Sequence, residues 1–399
     1  MSRKQRSGLP ASIWALGFVS LFMDISSEMI HALLPVFLVT TLGASALSVG
    51  LIEGVGEATA AVTKLFSGWI SDRIGNRKLL TIVGYGLGAL SKPLFAIAPT
   101  ASWVLLARFT DRVGKGTRGA PRDALVGDLA PARMTARAYG LRQSLDTVGA
   151  FTGPLLAIGL MAAWHDDFRR VFWFALLPGF VAVAILIFAV HEPKRADPST
   201  ARPAPIRWQD LRAFGTAFWT VVAVGAVLTL ARFSEAFLIL RARDEGLALS
   251  LAPIVLVVMN VVYALSAYPM GVVADKADKR LLLCAGFLVL IAADAVLALS
   301  TSLATAFAGI GLWGLHMGMT QGLLVALVAE TAPASVRGTA FGVFHLVSGV
   351  ALLTASLIAG GLWSWVGPSA TFLAGAGFTA IGLAGGAAAA LAVRRGAPG

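Results

Sequence analysis

Charge is what this 399-residue sequence has least of. Asp, Glu, Lys and Arg together make up 13%, about half the share of a soluble domain. Cysteine occurs once, at Cys284, so no intrachain disulfide is possible. The histidines number 5 and are scattered, too few and too dispersed for a metal centre. No HExxH, CxxC or GxSxG pattern occurs. Gly114-Lys115-Gly116-Thr117 resembles part of a phosphate loop, but the first required glycine falls on Phe109 and the residue after Lys115 is Gly116. These absences argue against an enzyme and against an ATP-driven machine. No metal and no cofactor is expected.

Hydrophobic residues, in contrast, make up 57%, and mean hydropathy is +0.79. Apolar runs of about 20 residues recur, each able to cross ~30 Å of hydrocarbon as a helix. Lipid leaves no partner for exposed backbone groups, so such runs must be helical, and the period-2 alternation of a membrane barrel is absent. The sequence therefore predicts an all-α membrane protein. We read twelve transmembrane helices, near 11–41, 46–70, 79–98, 101–126, 137–163, 170–190, 213–240, 248–273, 280–299, 303–329, 338–362 and 367–392. The run from Ala11 to Leu42 follows a basic N-terminus but contains Asp24, Glu28 and His31, so we read it as a retained span, not a signal peptide.

The net charge of +11 does not point to nucleic acid, because the cations sit in short loops at alternate ends of the spans. Arg73, Arg77, Lys78, Arg133, Arg137, Lys276, Lys279, Arg280, Arg337, Arg394 and Arg395 share one side with the basic N-terminus. The other side holds Arg169, Arg170, Arg241 and Arg243. The positive-inside rule then puts both termini in the cytoplasm. A Pro- and Arg-rich stretch at 191–212 reads as a cytoplasmic linker between a six-helix half at 1–190 and another at 213–399.

The halves repeat. Gly68-x3-Asp72-Arg73-x-Gly75-x-Arg77-Lys78 is echoed 203 residues later by Gly271-x3-Asp275-Lys276-x-Asp278-x-Arg280. Asp128-Leu-Ala-Pro131 is echoed by Glu330-Thr-Ala-Pro333, and Tyr139-Gly140 by Phe341-Gly342, both 202 residues later. Paired halves are how many transporters build a central site that opens to alternate sides.

The loop at Gly68–Lys78 resembles that of the major facilitator superfamily, and the likeness covers essentially the whole chain. It implies two pseudo-symmetric six-helix halves, a monomer, and a cytoplasmic latch. In that latch Asp72 faces a helix N-terminus, Arg73 or Arg77 pairs with Asp128, and Asp275, Arg280 and Glu330 form the second copy. The alternative is that these cations only set topology. Leu105-Leu106-Ala107-Arg108-Phe109 resembles the family's fourth-helix arginine motif, implicated in proton coupling, although Asp111 and Arg112 replace the usual Gln and Gly. Gly140-x8-Gly149-x3-Gly153-Pro154 is similar to the fifth-helix motif of the family's antiporters, with Ala157-Ile158 where a Gly pair is usual. Gly149 and Gly153 suit close helix packing on their own account, and Pro154 suits a bend.

Ionisable residues inside a membrane cost about 2.5–3.5 kcal/mol each on insertion scales and default to a functional reading. Asp24, Glu28 and His31 share one face of the first span. Glu53, Glu57 and Lys64 form a stripe on the second. Arg108, Arg112, Lys115, Arg118 and Arg122 recur at helical spacing on the fourth, beside Asp111 and Asp123. Arg142 and Asp146 lie on the fifth, and Lys92 lies beside Pro93 on the third. Either these stripes line a hydrated cavity where carboxylates exchange protons, or they are structural ion pairs between helices. The transport candidates are Asp24, Glu28, Glu53, Glu57, Arg108, Asp111, Arg112, Arg142 and Asp146. Arg118, Arg122, Asp123 and Asp128 lie nearer the cytoplasmic end and read as structural or gating. In the second half Arg232 and Glu235 are spaced to pair. Tyr263, Tyr268 and Trp313 are candidate substrate contacts, while Asp294, His316 and His345 stand isolated.

The expectation is a proton-coupled exporter of a small organic compound in a bacterial inner membrane. Its partners are substrate, protons and the bilayer. An importer of a small anion is the rival within the fold, and a non-transporting receptor or scaffold the rival outside it.

Overall fold

The computed structural model describes residues 9–74, 76–131, 134–192, 214–274, 277–332 and 337–395. Among them the chain is helical throughout. In order come α1 (Ala11–His31), α2 (Leu34–Thr40), α3 (Ala46–Ile74), α4 (Arg77–Ala96), α5 (Ala101–Leu129), α6 (Thr135–Ala163), α7 (Phe168–Phe174) and α8 (Leu176–Ala189). Then follow α9 (Thr216–Ala231), α10 (Ala236–Asp244), a 3-10 turn (Leu249–Leu251), α11 (Ile254–Ala274), α12 (Lys279–Ala298), α13 (Leu303–Thr331), α14 (Arg337–Trp365) and α15 (Pro368–Arg395). Eight spans among the described residues combine the length and apolarity that crossing a membrane requires. The charged helix α5 is not one of them. Its Arg108, Asp111, Arg112 and Arg118 are all buried, so its polar face is turned inward.

The chain forms two compact units. One comprises Met1–His31 and Thr59–Pro205, the other Ala32–Ala58 and Ile206–Gly399. The boundary near residue 31 coincides with the break between α1 and α2, where Pro35 sits at the start of α2. Proline has no N–H to give a continuing helix but suits a helix start.

The sequence repeat is matched by the helix ends. α4 and α12, α5 and α13, and α6 and α14 each start and end 202 residues apart. The N-caps correspond as well. Thr100 Oγ1 accepts from the Trp103 N–H at 3.3 Å, and Ser302 Oγ accepts from the Thr305 N–H at 3.3 Å. So does the helix register, since Gly84 abuts Arg118 in one unit and Gly286 abuts Thr320 in the other. The first helix of each copy is interrupted, after His31 and again after Ala231.

Two of the arginines outside the basic loops have a structural role. Arg169 donates to Ala96 O (2.7 Å) and Ala98 O (2.8 Å) at the end of α4. Arg241 donates to Leu297 O (2.9 Å) and Ser300 O (2.6 Å) at the end of α12. Each caps the negative end of a helix dipole.

Candidate functional site

The charged stripes of the first unit converge. α1 packs along α6 because α6 presents glycines to it. A methyl group on Gly149 would stand 2.6 Å from Leu21 O and 3.0 Å from Asp24 Cβ. One on Gly153 would stand 2.9 Å from both Glu28 Cβ and Ile25 O. Only a residue without a Cβ allows this approach. Gly140 has nothing within 4 Å and plays no such part. Pro154 lies within α6.

The close approach brings Asp24 of α1 within electrostatic reach of Asp146, one turn before Gly149 on α6. Arg118 and Lys115 of α5 lie within electrostatic reach of Asp24. Asp146 also faces Arg142 Nη1 at 3.6 Å and Arg122 Nη1 at 3.9 Å. Arg122 reaches Asp123 at 3.1 Å, Ser20 Oγ at 3.3 Å and the Tyr85 hydroxyl at 3.4 Å. The Arg118 guanidinium lies 4.7 Å from the centroid of the Tyr85 ring. One turn along α1, Glu28 bonds His31 Nδ1 at 3.2 Å and lies within electrostatic reach of Lys115 and Arg112. Asp24, Glu28 and Asp146 are each partly exposed and Lys115 is exposed, so these groups can meet solvent or a ligand.

Next to this accessible group is a sealed one. Lys92 Nζ of α4 donates to Asp111 Oδ1 of α5 at 2.8 Å and to Ser27 Oγ at 3.1 Å. Ser91 Oγ is 3.3 Å from the same carboxylate oxygen, and Arg112 Nε is 3.7 Å from the other. Arg108 is within electrostatic reach of Asp111. The Lys92 and Asp111 side chains are 1% and 5% exposed. The sequence pointed to Asp111 but not to Lys92 as its partner. That pairing depends on the register of α4 against α5.

Glu53 and Glu57 belong to the second unit, on the part of α3 that packs against α14 through Gly50 and Gly54. In the same unit Arg232 lies within electrostatic reach of Glu235 and Tyr263, so these three sit together. Trp313 is fully buried against Phe233, with ring centroids 5.3 Å apart. Tyr268 is 79% exposed.

At the candidate latch, Arg77 Nη1 donates to Asp128 Oδ2 at 2.6 Å and to Ala124 O at 3.0 Å. The Arg77 and Lys78 N–H groups donate to Glu192 at 2.8 and 3.3 Å, and Lys78 Nζ donates to Ile187 O at 2.8 Å. Gly68 lies against Ala120 of α5, and Arg73 is exposed. In the second unit Lys279 pairs with Glu330. Lys279 stands 202 residues after Arg77 and Glu330 stands 202 after Asp128. The counterpart of Arg77 is thus Lys279, one residue before the expected Arg280, because the second loop is one residue shorter than the motif spacing implies. Gly75, Asp275 and the side chains of Asp72 and Arg280 lie outside the described residues. Among the described residues no group of His, Cys, Asp and Glu is arranged to hold a metal.

Comparison with known proteins places this geometry. The model of the Major Facilitator Superfamily matches residues 16–259 and 236–399. The chain is 29% identical over 375 residues to an uncharacterized MFS-type transporter of Methanocaldococcus jannaschii, covering 92% of each. It is 26% identical over 187 residues to the quinolone resistance protein NorA of Staphylococcus aureus, which covers 47% of each chain. Its fold is similar to that of a bacterial homologue of the human lysosomal transporter Spinster in an inward-facing, occupied conformation. The TM-score is 0.76 at 17% identity, over 96% of each chain.

Proposed function

The chain belongs to the major facilitator superfamily of multi-pass membrane transporters, and from that premise we propose that it exports a small organic compound in exchange for protons. The observation that carries the proposal is the Asp24–Asp146 carboxyl pair, set against Arg118, Lys115, Arg122 and Arg142. Two acids sharing a proton beside cations form a site whose occupancy depends on how far apart the acids stand. A helix movement that separates α1 from α6 lets both ionise and releases the proton. One that closes them takes it up again. Coupling follows when substrate and proton compete for the same partly exposed face of Asp24, Glu28 and Lys115.

Export is supported by the glycines of α6, which hold α1 against it, and by the partial likeness to a quinolone resistance protein. The twelve-span, two-half layout and cytoplasmic termini follow from the repeat and the loop charges. The cations of α5 favour an anionic or zwitterionic substrate. The locale is the inner membrane and the working unit a monomer.

The test uses everted membrane vesicles carrying a pH-sensitive dye. After energisation, organic anions, siderophores and cationic drugs are added one class at a time. Collapse of the proton gradient by one class, dependent on the protein and lost in Asp24→Asn, is the expected result. Transport by Asp24→Asn with its dependence on the pH gradient intact would overturn the role of the pair. Uptake in place of extrusion would make the protein an importer.

A further inference from the structure

Among the buried positions at which the two copies differ, one carries an ionisable residue in both. Residue 92 in α4 is a lysine facing Asp111 of α5. Counted 202 residues on, the helix ends put Asp294 of α12 at the place of Lys92 and Trp313 of α13 at the place of Asp111. Where the first copy has a cation and an acid, the second has an acid and an indole. Asp294 is 0% exposed, and neither of its carboxylate oxygens has a hydrogen-bond partner among the described residues.

Among the described residues no cation pairs with it. On α13, His316 Nδ1 is bonded to Gly286 O at 2.8 Å, two turns along α12 from Asp294. On the α9–α10 segment, Arg232 faces Glu235 and Tyr263, and Arg241 binds Glu245 and the end of α12. Lys279, at the far end of α12, pairs with Glu330. α15 carries no titratable residue from Pro368 to Ala384. Among the described residues no charged group acts on Asp294.

A buried, unpaired carboxylate is too costly to persist as an anion. No described group supplies its neutralising charge, which leaves a bound cation as the source. The surroundings supply a second oxygen. A methyl group on Gly375 of α15 would stand 2.6 Å from Asp294 Oδ2, 3.0 Å from Ala231 O and 3.2 Å from Phe233 Cε1. The carboxylate and the last carbonyl of the interrupted helix α9 thus both pack against Gly375, too closely for any side chain there. Broken helices offer such free carbonyl ends to coupling ions.

We propose that Asp294, with Ala231 O, forms a monovalent-cation site in the second unit, occupied by a proton or by Na+. The site is independent of the transport direction and of the Asp24–Asp146 pair.

The test reads occupancy, not transport. Purified protein in nanodiscs is examined by infrared spectroscopy for the carbonyl stretch of a protonated carboxylic acid near neutral pH. Thermal stability is measured in parallel in Na+ and in choline at equal ionic strength. A proton site gives a band that is absent from Asp294→Asn, which keeps the fold because the amide is isosteric with the neutral acid. A sodium site gives no such band but a stabilisation by Na+ that Asp294→Asn loses. If Asp294→Asn fails to fold, Asp294→Glu retains the acid and must shift the band or the sodium response. A band and a sodium response that are both absent from the wild type, or both unchanged by the variants, overturn the proposal.

Discussion

Cutting the Lys92–Asp111 pair has a calculable asymmetry. Removing one member of a buried pair costs about 3–5 kcal/mol, because the other charge is left in a medium that does not solvate it. That is roughly two to three and a half orders of magnitude in the folding equilibrium. Lys92→Met leaves Asp111 with Arg112 at 3.7 Å and Ser91 at 3.3 Å, so its cost falls near the lower end, about 3 kcal/mol. Asp111→Asn takes away the acid that faces Lys92, Arg112 and Arg108 together, so its cost falls near the upper end, about 5 kcal/mol. The double variant Lys92→Met/Asp111→Asn removes the stranded ammonium as well. It is expected to cost no more than Asp111→Asn alone, a coupling energy of about 3 kcal/mol. The assay is unfolding in mixed micelles by titration with SDS, followed by circular dichroism, with all three variants against wild type. Additive single effects would show that Lys92 and Asp111 do not sense one another and would refute the structural reading of the pair. Lys92 would then be free to serve substrate.

The same packing sets the outcome of other substitutions. Gly149→Ala places a methyl 2.6 Å from Leu21 O and is expected to cost about 1–3 kcal/mol through overpacking. Gly140→Ala, with nothing within 4 Å, is expected to stay within about 0.5 kcal/mol of wild type, and the same SDS titration checks both. Arg77→Ala and Asp128→Ala are expected to cost under about 1 kcal/mol, since the Asp128 side chain is 35% exposed and water screens the pair. Exchanging the two residues should restore any transport that either single change loses, as measured by initial rates in vesicles.

Helix positions were legible because lipid imposes one rule on every span, and an apolar run satisfies it without reference to the rest of the chain. The Arg77–Asp128 contact was legible only as one of two alternatives, Arg73 or Arg77, that the loop's family likeness implied, and the structure has Arg77 making it. The meeting of Asp24 with Asp146 was not, since 122 positions separate them and only the glycines of α6 hint that α1 lies close. Lys92 was passed over because its partner sits on another helix, and spacing along one helix carries no information about register between two. Arg280 was placed one residue out because the loop motif repeats at 203 while the helices repeat at 202.

That one-residue difference changes what the repeat says. Aligned on the loops, Lys92 falls on Ala295 and the second copy has merely lost this buried charge. Aligned on the helices, Lys92 falls on Asp294, and the copy has kept a buried charge and reversed its sign. The partner changed with it. Trp313 fills the place of Asp111, and its ring, with those of Phe233 and Phe372, forms an apolar cluster that supplies neither a counter-charge nor water. Replacing an ion pair by packed rings is often neutral or better for stability, but only if both charges go. Here one stayed. An acid kept in a site rebuilt to be apolar is the least stable arrangement of the three, pair, no charge, or single charge, unless something arrives to neutralise it. The first copy completes its charge pair internally, whereas the second is completed only by an ion.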